Sequence, residues 1–258
     1  MSLNARLSDW RDKRIWIIGA SSGIGAALAH ALLELGADVI VSSRNQNQLH
    51  IEFASYETHC LIAPLDITQI ATVDEVFQKI LATYNGIDLV VICAGTYQPM
   101  RAWQMDAQVM QDTVATNLSG VLNCLPPIIE LYLKQGGGGI ALVSSVAGYR
   151  GLPESLVYGA TKAALINLCE TLYLDLAPSG IAVYLINPGF VKTPLTDKNT
   201  FAMPALISAA DAATEIIQGI EQGQFEIHFP KRFTLWLKWL RLLPYRWYFP
   251  LIRKMTGL

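Results

Sequence analysis

A net charge of −2 over 258 residues leaves no basic excess of the kind nucleic acid attracts, and the length suits one large α/β domain. Hydrophobic residues make up 52% of the chain, yet no run of about eighteen uninterrupted apolar residues occurs, so no spanning helix is expected. Four cysteines without CxxC spacing, Cys60, Cys93, Cys124 and Cys169, are too few to staple a chain of this size and read as buried, reduced thiols in a cytoplasmic protein.

The N-terminal MSLNARLSDWRDKR carries charge where a signal peptide needs an apolar core, so secretion is not expected. Short β-branched runs then alternate with helical patterns: RIWIIG, ADVIVSS, HCLIAPLD, IDLVVICAG, GIALVSS, GIAVYLINPG and the weaker QFEIHF. Strands this uniformly apolar are buried on both faces, which calls for a parallel sheet covered by helices. The fold expected is therefore α/β, a doubly wound (Rossmann) parallel seven-stranded sheet with helices on both faces and ligands at the carboxyl ends of the strands.

The first strand enters IIGASSGIGAAL, a glycine-rich turn opening the helix IGAALAHALLELG, which Gly36 stops. Gly19 permits the tight turn, Gly23 lets backbone approach a pyrophosphate, Gly25 allows close helix packing, and the helix N-terminus attracts the anion. At the end of the second strand, where NAD-binding proteins place an acid for the ribose hydroxyls, stand Ser43 and Arg44. A guanidinium can hold a 2′-phosphate that a carboxylate would repel, so NADP(H) is favoured over NAD; an Arg after a strand also occurs simply as a solvated charge. Asp66, after the third strand, can accept from an adenine amino group or cap the segment beginning at Thr68. Cys93, with nothing basic beside it in sequence, reads as a core thiol before a redox switch. His30, His50, His59 and His228 lack metal-ligand spacing and read as surface or strand-end residues, so no metal is expected.

Tyr158 and Lys162 stand four apart at the start of a helical pattern and share one face, while Ser145 ends the fifth strand at the ligand-bearing sheet edge. An ammonium near a phenol favours the phenolate, so the Lys is expected to tune the Tyr. YxxxK alone is common by chance; the strand-end Ser and glycine-rich turn make it specific.

With GASSGIG, CAG, ATNLSG, SSVAG, YGATK and PGFVKT in order, the sequence resembles the standard-length branch of the short-chain dehydrogenase/reductase family from about Lys13 to Phe229. It departs from the usual family pattern in Ile18, where Thr is common before the first glycine, and in Cys93, where the motif usually reads NAG. The resemblance implies a catalytic tetrad of Asn117, Ser145, Tyr158 and Lys162. Tyr158 would be the general acid for a carbonyl, Ser145 would polarise its oxygen, Lys162 would hold the nicotinamide ribose and lower the tyrosine pKa, and Asn117 would keep a water for a proton relay. It also implies cofactor contacts from Ser21, Ser22 and Ile24 in the turn, from Ile67, Ala94 and Gly95 after the third and fourth strands, from Tyr158 and Lys162 themselves, and from Pro188, Gly189, Val191 and Thr193 beside the nicotinamide. Homodimers or homotetramers through the helices carrying Asn117 and Tyr158 follow from the same resemblance. The loop LTDKNTFAMPALIS, with Phe201, Met203 and Leu206, is expected over the substrate pocket.

Residues 1–229 thus read as the catalytic domain and 230–258 as an extension. From Ile227 onward lie seven of the 19 Lys and Arg and none of the 21 Asp and Glu. On a helical wheel Lys231, Thr234, Lys238, Arg241 and Tyr245 form a polar stripe, with Phe233, Trp236, Leu237, Leu240 and Leu243 facing away and Pro244 ending or kinking the helix. Such a segment suits a membrane interface, packing on the domain or a partner subunit, or a frayed tail. The function expected is an NADP(H)-dependent oxidoreductase interconverting a carbonyl and a secondary or primary alcohol by hydride transfer on an apolar or lipid-like small-molecule substrate, cytoplasmic with peripheral membrane contact through the tail. The competing class is a catalytically idle NADP-binding sensor or scaffold; an intact Asn, Ser, Tyr and Lys set argues against it.

Overall fold

Strand β1 (Arg14–Ile18) turns Ile15 and Ile17 to one face of a sheet and Trp16 and Ile18 to the other, and all four are buried. This is the two-sided burial expected of a parallel sheet, and it explains why the strands read as continuous apolar runs. The protein is described by a computed structural model over residues 2–56, 58–199 and 201–257.

The chain continues through α1 (Gly23–Glu34), β2 (Asp38–Ser42), α2 (Gln46–Phe53), β3 (Cys60–Ile62), α3 (Ile70–Tyr84) and β4 (Leu89–Ile92). Then come α4 (Ala107–Val114), α5 (Gly120–Gln135), β5 (Gly138–Val143), α6 (Leu156–Leu176), β6 (Ile181–Pro188), α7 (Ala209–Glu221) and β7 (Glu226–Phe229). All seven strands pair in parallel in the order β3-β2-β1-β4-β5-β6-β7. Helices α1, α2 and α7 cover one face and α3, α5 and α6 the other. The strand order reverses between β1 and β4, and a crevice opens at such a reversal. Between α4 and α5 a π-helical turn, Ala115–Ser119, carries Asn117; turns of this kind often mark functional sites.

The tail is a built part of the fold. Helix α8 (Lys231–Arg241) and α9 (Tyr245–Thr256) send Leu237, Leu240, Tyr248 and Ile252 into the core shared with α3, α5 and α6. The polar stripe expected on α8 is corrected in two places. Thr234 is fully buried, its Oγ1 2.6 Å from His228 Nδ1, and Lys238 Nζ donates to Glu226 Oε2 at 2.6 Å. The reason lies in β7, whose His228 and Glu226 side chains meet α8 and supply polar partners that a helical wheel cannot anticipate. Glu226 also accepts from the Tyr149 hydroxyl at 2.7 Å and from Asn187 Nδ2 at 2.8 Å. These bonds hold its carboxyl below the usual range although burial pushes the other way. Arg150 caps the end of α8, donating to the Leu240 and Leu243 carbonyls while its guanidinium lies over the Tyr248 ring.

Two smaller expectations also shift. His30 is half-buried within α1, stacked on Phe53, rather than at the surface or a strand end. All four cysteines are free thiols, but Cys60 and Cys93 are only partly buried. Among the described residues no group of three or more His, Cys, Asp or Glu could hold a metal, and no helix is long and apolar enough to cross a membrane.

Candidate active site

The turn after β1 fixes one wall of the crevice. Gly19 has φ +96°, and its amide donates to the Ser42 carbonyl at 2.7 Å. A Cβ there would sit 2.5 Å from the Ala94 amide nitrogen, so only glycine lets the β1 turn lie against Ala94 and Gly95 at the end of β4. Helix α1 opens at Gly23 with no side-chain cap from Ser22, leaving first-turn amides as donors for an anion.

The crevice has a volume of 510 Å3. Every residue expected to touch the cofactor lines it: Gly19, Ser21, Ser22, Gly23, Ile24 and Gly25 from the first turn, Ser43 and Arg44 after β2, Asp66 and Ile67 after β3, Ala94 and Gly95 after β4, and Pro188, Gly189, Val191 and Thr193 after β6. Ser145, Tyr158 and Lys162 line it too, whereas Asn117 does not. Arg44 is exposed and, among the described residues, in no ion pair. Asp66 is the one acid in the lining; its Oδ1 accepts from the Thr68 amide at 3.0 Å and hydroxyl at 2.8 Å, a local turn ahead of α3, whose N-cap is Gln69 and not Asp66. The cradle thus fits a dinucleotide: bare amides at the pyrophosphate position and a guanidinium, with no carboxylate, after β2.

The reactive end is assembled by α6 and the loop after β5. Tyr158 and Lys162 lie one turn apart on α6. Ser144 Oγ donates to the Lys162 carbonyl at 2.8 Å, and a Cβ on Gly148 would meet the Lys162 carbonyl carbon at 2.7 Å. Ser144 and Gly148 therefore press the Ser145 loop directly onto the backbone of α6. Neither was singled out from the sequence, because their use depends on a contact between separate elements. Gly148→Val is expected to lower stability by about 1–3 kcal/mol through overpacking. It is also expected to cut turnover about 100-fold by parting Ser145 from Lys162; thermal melting and steady-state rates check both.

Lys162 Nζ donates to the Val143 carbonyl at 2.8 Å and lies 5.6 Å from the Tyr158 ring centroid. Burial lowers the Lys162 ammonium to about 8. The expected tuning of the phenol by Lys162 is not what dominates: burial raises Tyr158 above the ordinary phenol value, and the neighbouring Ser145 hydroxyl opposes that rise. At neutral pH the phenol is protonated and poised to donate. Asn117 is fully buried with its side chain committed: Oδ1 accepts from the Thr96 amide at 2.7 Å, and Nδ2 donates to the Thr96 carbonyl at 2.8 Å and Thr161 Oγ1 at 3.3 Å. Burial pushes the Cys93 thiol up to about 12, and Cys93 forms part of the crevice wall.

Two aromatic side chains that the sequence did not flag, Tyr97 and Phe190, stand respectively against the phenol and between the crevice residues Gly189 and Val191. Tyr97 packs edge-on against Tyr158 with ring centroids 5.0 Å apart, and Lys198 Nζ donates to the Tyr97 carbonyl at 2.8 Å. Phe190, in PGFVKT, contacts Phe201 at 5.8 Å and Phe233 of α8 at 5.6 Å. The expected pocket loop over residues 195–208 includes position 200, which lies outside the described residues; its Phe201 and Leu206 are exposed.

Comparison with known proteins supports the same assignment. A family model described as short chain dehydrogenase matches residues 13–203. An uncharacterized oxidoreductase of Myxococcus xanthus is 32% identical over 231 residues, covering 88% of this chain and 91% of that protein. One from Staphylococcus epidermidis is 29% identical over 212 residues, covering 82% of this chain and 92% of that protein. A short-chain dehydrogenase from Streptomyces avermitilis superposes with a TM-score of 0.81 at 23% identity, covering 95% of this chain and 98% of the other. A variant of the actinorhodin polyketide ketoreductase, solved with NADPH, superposes with a TM-score of 0.77 at 20% identity over 86% of this chain and 97% of that one. With three quarters of its length matched by the family model, and its glycine turn, strand-end serine and YGATK helix converging on one crevice, the chain belongs to the short-chain dehydrogenase family.

Proposed function

We propose that this protein is an NADP(H)-dependent oxidoreductase that interconverts an apolar carbonyl compound and its alcohol. The observation that carries the reading is the crevice itself, with Arg44 and the bare α1 amides at one end and Ser145, Tyr158 and Lys162 at the other. When bound, the nicotinamide supplies or accepts the hydride. Tyr158 donates its proton to the carbonyl oxygen, or takes it back in oxidation, and the Ser145 hydroxyl orients and polarises that oxygen. Lys162 holds the nicotinamide ribose and adds positive charge beside the phenol. Asn117 is a positioning residue that ties the loop after β4 to α6; with its side-chain amide fully bonded, a water relay would rest on its main-chain carbonyl. Arg44 holds the 2′-phosphate.

The apolar character of the substrate rests on Tyr97 packed against Tyr158, and on Phe233 and Phe190 beside the crevice residue Gly189. A homo-oligomer fits Leu122 and Leu133 exposed on α5 and Leu174 on α6.

The test is NADPH oxidation by the full chain across straight-chain aldehydes and ketones of increasing length. Each methylene buried in the pocket should raise kcat/KM by about fourfold until the pocket is filled. A flat series would overturn the apolar substrate, and NADPH binding without turnover of any carbonyl would replace the enzyme by an NADP sensor. The pH dependence has a fixed sign. The reductive rate should fall as pH rises through about 8, where Lys162 loses its charge, while oxidation, which needs the phenolate, climbs with pH. Initial rates in both directions between neutral and alkaline pH check this.

A further inference from the structure

Helices α8 and α9 have two apolar faces, and folding uses only one. Leu237, Leu240, Tyr248 and Ile252 face inward and are buried. The Tyr248 hydroxyl adds a bond to the Gly151 carbonyl at 2.7 Å. Leu235, Trp239, Leu242, Trp247 and Phe249 point outward, each more than half exposed and Leu242 at 80%. The inward contacts hold both helices in one rotational setting, so the outward set is presented as a fixed surface.

Charge accompanies it. Of the seven cations after Ile227, only Lys238 is in an ion pair among the described residues. Lys231, Arg232, Arg241, Arg246, Arg253 and Lys254 are exposed, and no Asp or Glu lies on this segment to neutralise them. The Arg246 guanidinium lies 5.0 Å from the centroid of the Trp247 ring. Beside α9 runs a cleft of 550 Å3 whose lining includes Leu152, Pro153, Tyr245 and Phe249 together with Arg246 and Arg253.

We propose that the outward face of α8 and α9 docks the protein on an anionic lipid bilayer. Trp and Phe rings set among cations match the two layers of such a surface, the rings reaching the acyl boundary and the cations meeting phosphate. The cleft can take an acyl segment, with guanidinium groups for a headgroup phosphate. A second copy of the chain fits less well: a two-fold contact places the same patch on both partners and would set six exposed cations against six like charges. The proposal does not rest on hydride transfer, since a chain without turnover would still bind vesicles.

The experiment is co-sedimentation of the full chain with phosphatidylcholine vesicles and with mixed phosphatidylcholine–phosphatidylglycerol vesicles. Light scattering without lipid and thermal melting accompany each variant. Binding is expected to the mixed vesicles only and to weaken with salt. Arg241→Gln with Arg246→Gln should weaken it about fivefold per cation removed. Trp239→Ser with Leu242→Ser should weaken it at least about tenfold, with only a small drop in melting because Leu242 is 80% exposed and Trp239 more than half exposed. Equal binding to both vesicle types, or binding to neither, overturns the proposal. A drop in oligomeric mass for Trp239→Ser with Leu242→Ser also overturns it, and assigns the face to contacts between copies.

Discussion

Tyr158→Phe is expected to reduce turnover by about 100- to 10,000-fold while leaving NADPH affinity unchanged. The substitution removes the phenolic oxygen but keeps the ring, so the edge-on packing with Tyr97 and the wall of the crevice persist. Among the described residues lining the crevice, its neighbours Ser145 and Lys162 are poor substitutes. An alcohol such as Ser145 is a far weaker acid than a phenol, and the Lys162 ammonium is held by the Val143 carbonyl at 2.8 Å and assigned to the nicotinamide ribose. Because burial raises the phenol, the wild-type group is a stored proton at neutral pH and the loss falls on the chemical step. Fluorescence titration of NADPH together with steady-state kinetics separates the two quantities. Turnover within a few-fold of wild type would refute Tyr158 as the acid, and a parallel loss of NADPH affinity would make it a cofactor-binding residue.

Arg44→Asp is expected to weaken NADPH binding about 10- to 100-fold and to leave NADH binding unchanged or improved. On the proposed assignment the substitution would remove a charge-assisted bond to the 2′-phosphate and put a like charge in its place, whereas the ribose hydroxyls of NADH could donate to the new carboxylate. The position suits the test, since Arg44 is exposed, lines the crevice and has no ion pair among the described residues to be broken. Its stability cost should therefore be small. Dissociation constants for both cofactors at low ionic strength decide the matter, because salt screens an exposed pair. Equal losses for NADPH and NADH would contradict the phosphate role.

Features that depend on local pattern are legible along the chain. Buried strands on both faces must read as continuous apolar runs, so RIWII and IALV announce a parallel sheet without any tertiary information. A turn with positive φ at its first position needs glycine, so GASSGIG is legible wherever it occurs. Two side chains one helical turn apart share a face, so Tyr158 and Lys162 could be paired on spacing alone.

Contacts between residues far apart in the chain are a different matter, because the worth of each residue depends on what it meets. Gly148 matters because the α6 backbone lies against it, and Tyr97 because Tyr158 does. Thr234 and Lys238 look like solvent residues on a wheel and turn inward because His228 and Glu226 wait for them on β7. Charge followed the same rule. Proximity of Lys162 to Tyr158 suggested a lowered phenol, but the low-dielectric surroundings of both groups disfavour the charged form of each and prevail. Burial is a property of the folded assembly, and no residue carries it in its identity.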